Sequence, residues 1–295
     1  MATVIVDGNN IAMAAYAAND QLLDPYGRPV GAIYGPLRMM KPMLDRVREV
    51  FVRTGEPVKF LVAWDARRSW RHDAYEGYKA GRKDKDTDEF FQRYVEQLPR
   101  LREILPQLGI GQILVDNFEA DDIAGWLTQR SGKWVLMSND KDWLQLVRDG
   151  VWVWRPKDAD FVTPDTFAEK AEADDPEQFV TIKAIAGDKG DDVPGCKGIG
   201  WALARKYLTG GMKPGSARAN AIEAWLADPE GYARSRKLVD LRAIQPDPRV
   251  QRVNTTAGAF DQRKFMQSCV ELGFQSIIER FDDWAGAFKP AMETA

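Results

Sequence analysis

The sequence predicts an α/β fold, with a mostly parallel central sheet covered by helices on both faces and a mainly helical region after it. Three observations carry this reading. Short β-branched and aromatic runs alternate with stretches of helical periodicity up to about residue 165. Three of the first four runs end at or beside an aspartate, and the remaining one is followed closely by acids, so one edge of the sheet gathers carboxylates. After Pro164 the alternation gives way to helical periodicity.

The elements follow in order. Residues 3–6 form a β-branched run that ends at Asp7, and residues 36–52 carry helical spacing. Residues 60–64 form a second strand, ending at Asp65. Residues 90–108 are expected as one helix kinked at Pro99. A third strand, 111–115, leads to Asp116 and Glu119, with a helix predicted over 121–129. The fourth, 134–138, leads to Asn139 and Asp140, with a helix over 141–147. Residues 151–154 and 161–162 read as a closing hairpin. Beyond the boundary near 165, helices are expected over 166–173, 177–186, 201–207, 217–227, 231–241 and 265–272, and the chain after Trp284 is expected to fray.

Composition narrows the chemistry. A chain of 295 residues suggests about two domains. With 29% charged and 44% hydrophobic residues it reads as soluble and globular. The N-terminus lacks the basic-then-apolar pattern of a signal peptide, and no apolar stretch is long enough to span a bilayer. Cys196 and Cys269 lie far apart and suit a reducing, cytoplasmic setting without a zinc ribbon. The single histidine, His72, excludes His-ligated zinc sites, and neither a GxSxG elbow nor a GxxxxGK[ST] phosphate loop is present. Carboxylates and metal ions remain as the expected chemistry.

Nine acids stand at strand ends or in tight pairs: Asp7, Asp65, Glu119, Asp121, Asp122, Asp140, Asp142, Asp188 and Asp191. Individually each has a structural explanation. Asp121 and Asp122 suit a helix first turn, Asp140 suits a cap, and Asp188 and Asp191 suit a turn between glycines. Together at one sheet edge they would repel and protonate unless cations intervene. Hard oxygen ligands fit Mg²⁺ first and Mn²⁺ as the alternative. The net charge of −3 makes the chain an unpromising nucleic-acid binder on average, but setting the nine acids aside leaves the remainder net basic.

Two segments suit nucleic acid. Residues 67–83 interleave six Lys or Arg with Trp70, Tyr75 and Tyr78, which favours phosphate neutralisation and base stacking, although charge runs are often only solvated faces. His72 lies within it, expected as a phosphate or base contact or a packed side chain rather than a catalytic base. Residues 187–200 read Gly-Asp-Lys-Gly-Asp-Asp-Val-Pro-Gly-Cys-Lys-Gly-Ile-Gly between two predicted helices, with Arg205 and Lys206 on the outgoing one. That turn resembles a helix-hairpin-helix, whose backbone N–H groups bind phosphate without reading sequence.

Taken in order, Val-Asp-Gly at 6–8, Trp-Asp at 64–65, Arg-His-Asp-Ala-Tyr-Glu-Gly-Tyr-Lys-Ala-Gly-Arg at 71–82, Glu-Ala-Asp-Asp at 119–122, Asn-Asp-Lys-Asp at 139–142 and the glycine hairpin resemble the 5′→3′ exonuclease and flap endonuclease family. This includes the 5′ nuclease domain of bacterial DNA polymerase I and the free-standing bacteriophage flap endonucleases. The resemblance runs from about residue 4 to 208 and more weakly to 285. It implies an α/β nuclease core over 1–165 with a helical arch at about 67–100, a helical DNA-binding region over 166–285 with a helix-three-turn-helix at about 177–208, and a tail over 286–295.

It also implies two divalent ions. One group draws on Asp7, Asp65, Glu119 and Asp121, the other on Asp140, Asp142, Asp188 and Asp191, with Asp122 a further acid of the motif. Lys79 and Arg82 match arch-base cations on the scissile phosphate, Tyr78 matches a nearby aromatic, and Lys183 a lysine near the backbone. The catalytic set expected is therefore Asp7, Asp65, Asp140, Asp188, Lys79 and Arg82. The DNA contacts expected are Arg71, His72, Tyr75, Tyr78, Lys79, Arg82, Lys83, Lys183, Gly195, Lys197, Gly198, Gly200, Arg205 and Lys206. Asp192 stands where many members carry Asn, and the arch between Arg82 and Phe90 is short.

The expected activity is two-metal hydrolysis of DNA at 5′ ends, flaps or single-strand/duplex junctions, with RNA-primed DNA a further substrate. The expected protein is a monomer that works with a polymerase in trans in a bacterial cell or a phage-infected host. A PIN-type ribonuclease and a non-catalytic structure-specific DNA-binding protein are the rivals. The glycine hairpin argues against the first, and so much acid beside phosphate argues against the second.

Overall fold

A computed structural model describes residues 2–52, 58–81, 88–247 and 251–288. Seven strands form one mixed sheet: β1 (Ala2–Asp7), β2 (Val58–Trp64), β3 (Gly111–Val115), β4 (Lys133–Met137), β5 (Val151–Arg155), β6 (Asp160–Val162) and β7 (Val253–Thr256). Their order is β6-β5-β4-β1-β2-β3-β7, parallel from β5 to β3 and antiparallel at both edges. The central strands are buried on both faces, which is why they read as near-continuous apolar runs. Side chains alternate between two cores: Val4 and Val6 enter one, and Ile5 enters the other.

The register positions the acids. Val6 pairs with Val62 on one side and Met137 on the other. The residues that follow these pairs, Asp7, Asp65 and Asp140, therefore emerge at one edge of the sheet. Glu119 arrives there from β3 through Asn117, whose φ of 62° turns the chain.

Helices α1 (Gly8–Ala17), α2 (Gly31–Val52), α3 (Trp70–Ala74), α4 (Glu89–Val95), α5 (Leu98–Ile104) and α6 (Ala120–Thr128) intersperse β1 to β4. After β6 come α7 (Phe167–Ala171), α8 (Pro176–Ala186), α9 (Trp201–Leu208), α10 (Ala217–Leu226) and α11 (Gly231–Val239), and after β7 come α12 (Gln262–Glu271), α13 (Gln275–Ile278) and α14 (Phe281–Gly286).

Several expectations need correction. The helix over 90–108 is three pieces, α4, α5 and a 3₁₀ turn at Leu105–Leu108, because Pro99 opens α5 and Pro106 opens the turn. The helix expected over 141–147 is a 3₁₀ helix, Lys141–Leu146. The second half, expected to be mainly helical, also supplies strand β7, which pairs with β3. It does not stand apart from the first. Phe265, Cys269, Phe274 and Trp284 share a core with β1 and α2, and Ile222 and Leu241 share the other core with β3 and α6. The tail begins later than 286: Phe288 is buried and stacks on Trp284 at 4.6 Å. Residues 289–295 lie outside the described residues, as do Arg82, Lys83 and the span of the arch from 82 to 87. Among the described residues, no helix is long and apolar enough to cross a membrane.

Candidate metal centre and nucleic-acid interface

Each acid is held by an element that ends at the site. Asp7 caps α1, accepting the Asn10 N–H at 3.1 Å, and also accepts the Ser138 hydroxyl at 2.7 Å. Asp65 accepts the Ala120 N–H at 2.8 Å, at the start of α6. Asp121 accepts the Trp143 indole N–H at 2.6 Å. Asp140 caps its 3₁₀ helix through the Asp142 N–H at 2.8 Å. The capping explanation for Asp140 thus holds, and its place at the acidic edge holds with it.

Two lysines enter this acidic edge. The Lys79 ammonium lies 2.5 Å from Glu119 and 3.8 Å from Asp191. Tyr78 bridges the same two acids, donating to Glu119 at 2.8 Å with Asp191 at 3.0 Å. Lys183, buried on α8, binds Asp142 and lies 2.7 Å from Asp188. Asp188 further accepts the N–H groups of Gly190 and Asp191.

The electrostatics divide the acids. Burial and the neighbouring Asp65 push Asp7 up to about 8. Burial also raises Asp65, with Glu119 adding to it, and lifts Asp121 well above the carboxylate range, with Asp140 and Asp7 adding to it. Burial brings Asp142 up to about 6, although Lys183 opposes it. Glu119 and Asp188 go the other way. Burial opposes their ionisation, but Lys79 and Arg71 at Glu119, and Lys183 at Asp188, outweigh it and hold both below the usual value.

Among the described residues, no three acids close into a ready-made cation cage; the carboxylates turn to lysines and N–H groups instead. The donor set nonetheless fits a divalent ion. It is all oxygen, and the raised proton affinities of Asp7, Asp65 and Asp121 mark carboxylates whose charge a bound cation would stabilise. A cavity of about 430 Å³ opens over Asp142, Lys183 and Asp188, bounded by Phe179 and Trp201. A larger one of about 660 Å³, lined by Trp70, Phe118, Tyr232 and Ile244, contains none of the nine acids.

Other predicted site residues fall elsewhere. Asp122 is fully buried; one oxygen accepts from the Arg71 guanidinium at 2.8 Å and from the Glu119 N–H at 2.9 Å, and the other lies 2.8 Å from the same guanidinium. Paired in this way with Arg71, it orients Glu119. Arg71 is buried too, its Nε donating to the Leu238 carbonyl at 2.8 Å, so it is a framework residue and not a DNA contact. His72 completes a capping box with Ser69 and meets Tyr78 edge-on at 5.2 Å, the packed outcome. Tyr75 is covered by Arg234, 5.1 Å over its ring. Lys183 faces acids within the site, which removes it from the open backbone-contact set.

In the glycine hairpin, Gly195 serves packing: a Cβ there would stand 2.4 Å from the Ala186 and Gly187 backbone. Gly198 has φ +77° with open space around it. Lys197, Gly198 and Gly200 are exposed on the loop before α9 and Arg205 and Lys206 on its last turn, and no side chain caps the helix N-terminus.

Sequence reasoning missed Ser138, Asn9, Asn10 and Trp143. Asn9 accepts the Asp65 N–H and Asn10 accepts the Asn139 N–H, so the two asparagines after Asp7 tie three strand ends together. The Asp-Gly-Asn-Asn run at 7–10 was the available signal.

A family model described as "5'-3' exonuclease, N-terminal resolvase-like domain" matches residues 2–172. The chain belongs to the 5′–3′ exonuclease family. Within it, this exonuclease-family chain is 36% identical over 210 residues to a thermostable DNA polymerase I of Thermus aquaticus, covering 70% of the chain and 23% of the relative. It is 31% identical over 296 residues to DNA polymerase I of Bacillus caldotenax, covering 95% and 32%. The chain thus spans about a quarter to a third of the curated relatives it matches. Among solved structures, T5 5′-exonuclease with divalent zinc bound superposes with a TM-score of 0.62 at 18% identity, over 98% of this chain and 100% of that one. Flap endonuclease-1 from Methanococcus jannaschii gives 0.63 at 14% identity, over 97% and 92%. At these identities the structural likeness speaks for the fold: a mostly parallel sheet with helices, shared with the exonucleases and flap endonucleases.

Proposed function

We propose that this chain is a structure-specific 5′ nuclease, hydrolysing DNA phosphodiesters at 5′ ends and flap junctions with two divalent ions, Mg²⁺ or else Mn²⁺. The observation that carries it is the collection of Asp7, Asp65, Asp121 and Asp140 at one sheet edge, with the proton affinities of Asp7, Asp65 and Asp121 raised by burial. A binding module gains nothing from burying such charge where phosphate must approach. Bound ions would supply charge neutralisation at the scissile phosphate and activation of the attacking water.

The chain's own groups supply the rest. Asp7, Asp65, Glu119 and Asp121 form one ligand group, with Asp140, Asp142, Asp188 and Asp191 forming the other. Lys79, held at Glu119, would stabilise charge developing on the phosphoryl oxygens once that carboxylate served as a metal ligand. Tyr78 keeps Glu119 and Asp191 aligned meanwhile. Arg82 and Lys83, which lie outside the described residues, are further DNA contacts in this reading. The exposed loop bearing Lys197, Gly198 and Gly200, with Arg205 and Lys206, grips the duplex backbone, so recognition follows DNA shape and ends.

In this reading residues 1–165 form the nuclease core, and 166–285 hold the DNA and complete the second ligand group through Asp188 and Asp191. The chain acts as a monomer, with a polymerase in trans where it meets primed or RNA-primed strands. The test is a 5′-labelled flap incubated with Mg²⁺ and with excess EDTA. Metal-dependent cutting near the junction is expected. Binding without cutting in Mg²⁺ or Mn²⁺ would replace this reading with a non-catalytic one, and preference for a matched RNA flap would replace it with a ribonuclease.

A further inference from the structure

We propose that Asp192 is a positioning residue that ties the duplex-gripping loop to the arch base and so fixes where Lys79 stands; this rests on the nuclease reading above. Two non-glycine residues face each other in left-handed backbone, Lys79 at φ +55° and Asp192 at φ +54°. Such conformations persist only where the surroundings over-determine them. Here the restraint is visible on both sides of Lys79's neighbourhood. The Lys79 N–H donates to the Asp191 carbonyl at 2.9 Å, and the Gly81 N–H donates to the Asp192 carboxylate at 2.7 Å. Residues 79–81 are thus laced to 191–192 at two points. Gly81 permits this approach, because a Cβ there would lie 3.0 Å from the Asp192 carboxylate.

The loop carrying Asp192 is itself rigid. Asp188 and Val193 exchange two backbone hydrogen bonds at 2.9 and 2.8 Å, and Ser235 donates to the Pro194 carbonyl at 2.7 Å. Past Pro194 the chain runs directly into the exposed glycine hairpin. The backbone under Lys79 is therefore anchored to the same loop that would meet duplex phosphates. Asp192 directs a carboxylate oxygen to the Gly81 N–H on the arch base, whereas the Asp188 carboxylate takes N–H groups of its own loop and the Lys183 ammonium. Aspartate and asparagine both tolerate left-handed backbone and both offer an acceptor oxygen there.

The experiment compares wild type with Asp192→Asn and Asp192→Gly. The glycine variant removes the carboxylate while leaving left-handed backbone open, so it does not strain the fold. Three quantities are read: single-turnover cleavage of a 5′-flap DNA in Mg²⁺, affinity for the same DNA in EDTA, and amide hydrogen exchange of the peptide containing Gly81 without DNA. Asp192→Gly should expose the Gly81 amide to fast exchange and slow cleavage about 10- to 100-fold, with affinity changed less than about twofold. Asp192→Asn should restore both protection and rate. An Asp192→Gly protein that cuts at the wild-type rate overturns the positioning role alone. An Asp192→Asn protein as impaired as Asp192→Gly, with a raised Mg²⁺ requirement, makes Asp192 a metal ligand instead. A wild-type protein that cuts no 5′-ended DNA overturns the nuclease reading, and the positioning role with it, whatever the exchange shows.

Discussion

The acidic edge contains two kinds of carboxylate, and the contrast between them is instructive. Asp7, Asp65 and Asp121 crowd together, hydrogen-bonded to the Asn10 N–H and Ser138 hydroxyl, the Ala120 N–H and the Trp143 indole respectively, and their proton affinities rise. Glu119 and Asp188 each keep a lysine, and theirs fall. The first group has a charge problem that a proton or an added ion relieves. The second has already been neutralised by Lys79 and Lys183. A divalent ion should therefore enter the first group by displacing protons, whereas in the second it must displace a lysine. The displaced lysine is then free to meet phosphate.

The contrast is broken most sharply at Asp121. Asp121→Asn removes a ligand and also removes an uncompensated carboxylate. Cleavage should fall about 10³-fold or more, equivalent to about 4 kcal/mol. The melting temperature in EDTA should rise at the same time. A variant within tenfold of wild-type cleavage would sink the assignment of Asp121 to a metal group.

At the lysine-held acids the sign of the stability effect reverses. Lys183→Met leaves Asp142 and Asp188 facing each other without a cation, so the metal-free protein should lose about 3 kcal/mol by denaturant titration, with Mg²⁺ returning part of it. Unchanged stability would mean that water solvates this pair better than its burial suggests. Lys79→Ala should slow the chemical step about 100-fold and leave duplex affinity nearly intact. A loss confined to affinity would move Lys79 to holding DNA.

The comparison also has a pH signature. A carboxyl whose folded value lies above its unfolded one lends stability that is complete below about pH 4 and is lost as pH rises through the folded value. For Asp142 that value is about 6 and for Asp7 about 8. In EDTA the melting temperature should therefore have a component that declines between about pH 4 and 8. The increment produced by Mg²⁺ should grow over the same range, because the ion no longer competes with protons. A metal increment independent of pH would show these acids to be ionised already.

The strands and their acids were legible because burial on both faces writes apolar runs into the sequence and parallel register aligns their ends. The asymmetry between Asp121 and Asp122 was not. They are adjacent in the chain, and only the fold sends one to Trp143 and the other to Arg71, 51 residues away. Arg71 looked like a phosphate contact since local pattern does not report that a guanidinium is enclosed. Helix α1 was hidden because its first turn is Gly-Asn-Asn, poor helix formers that Asp7 caps and the strand ends employ as bridges. Strand β7 was hidden for a different reason. All four of its residues are exposed, so no burial pattern marks it, and it exists because β3 offers an unpaired edge.

The smallest expected effect lies on the exposed glycine loop that follows the acidic run at 188–192. Lys197 and Lys206 are exposed and flank the glycine turn, so each should contribute one screened phosphate contact and no catalytic one. Lys197→Ala should weaken duplex binding a few-fold at moderate salt, evenly across sequences, and reduce the slope of log affinity against log salt by about 1. Cleavage at saturating DNA should be unchanged. Were Lys197→Ala instead to slow cleavage of bound DNA, the separation between gripping and cutting would fail, and the loop would have to be counted among the elements that set Lys79 through the 191–192 contact.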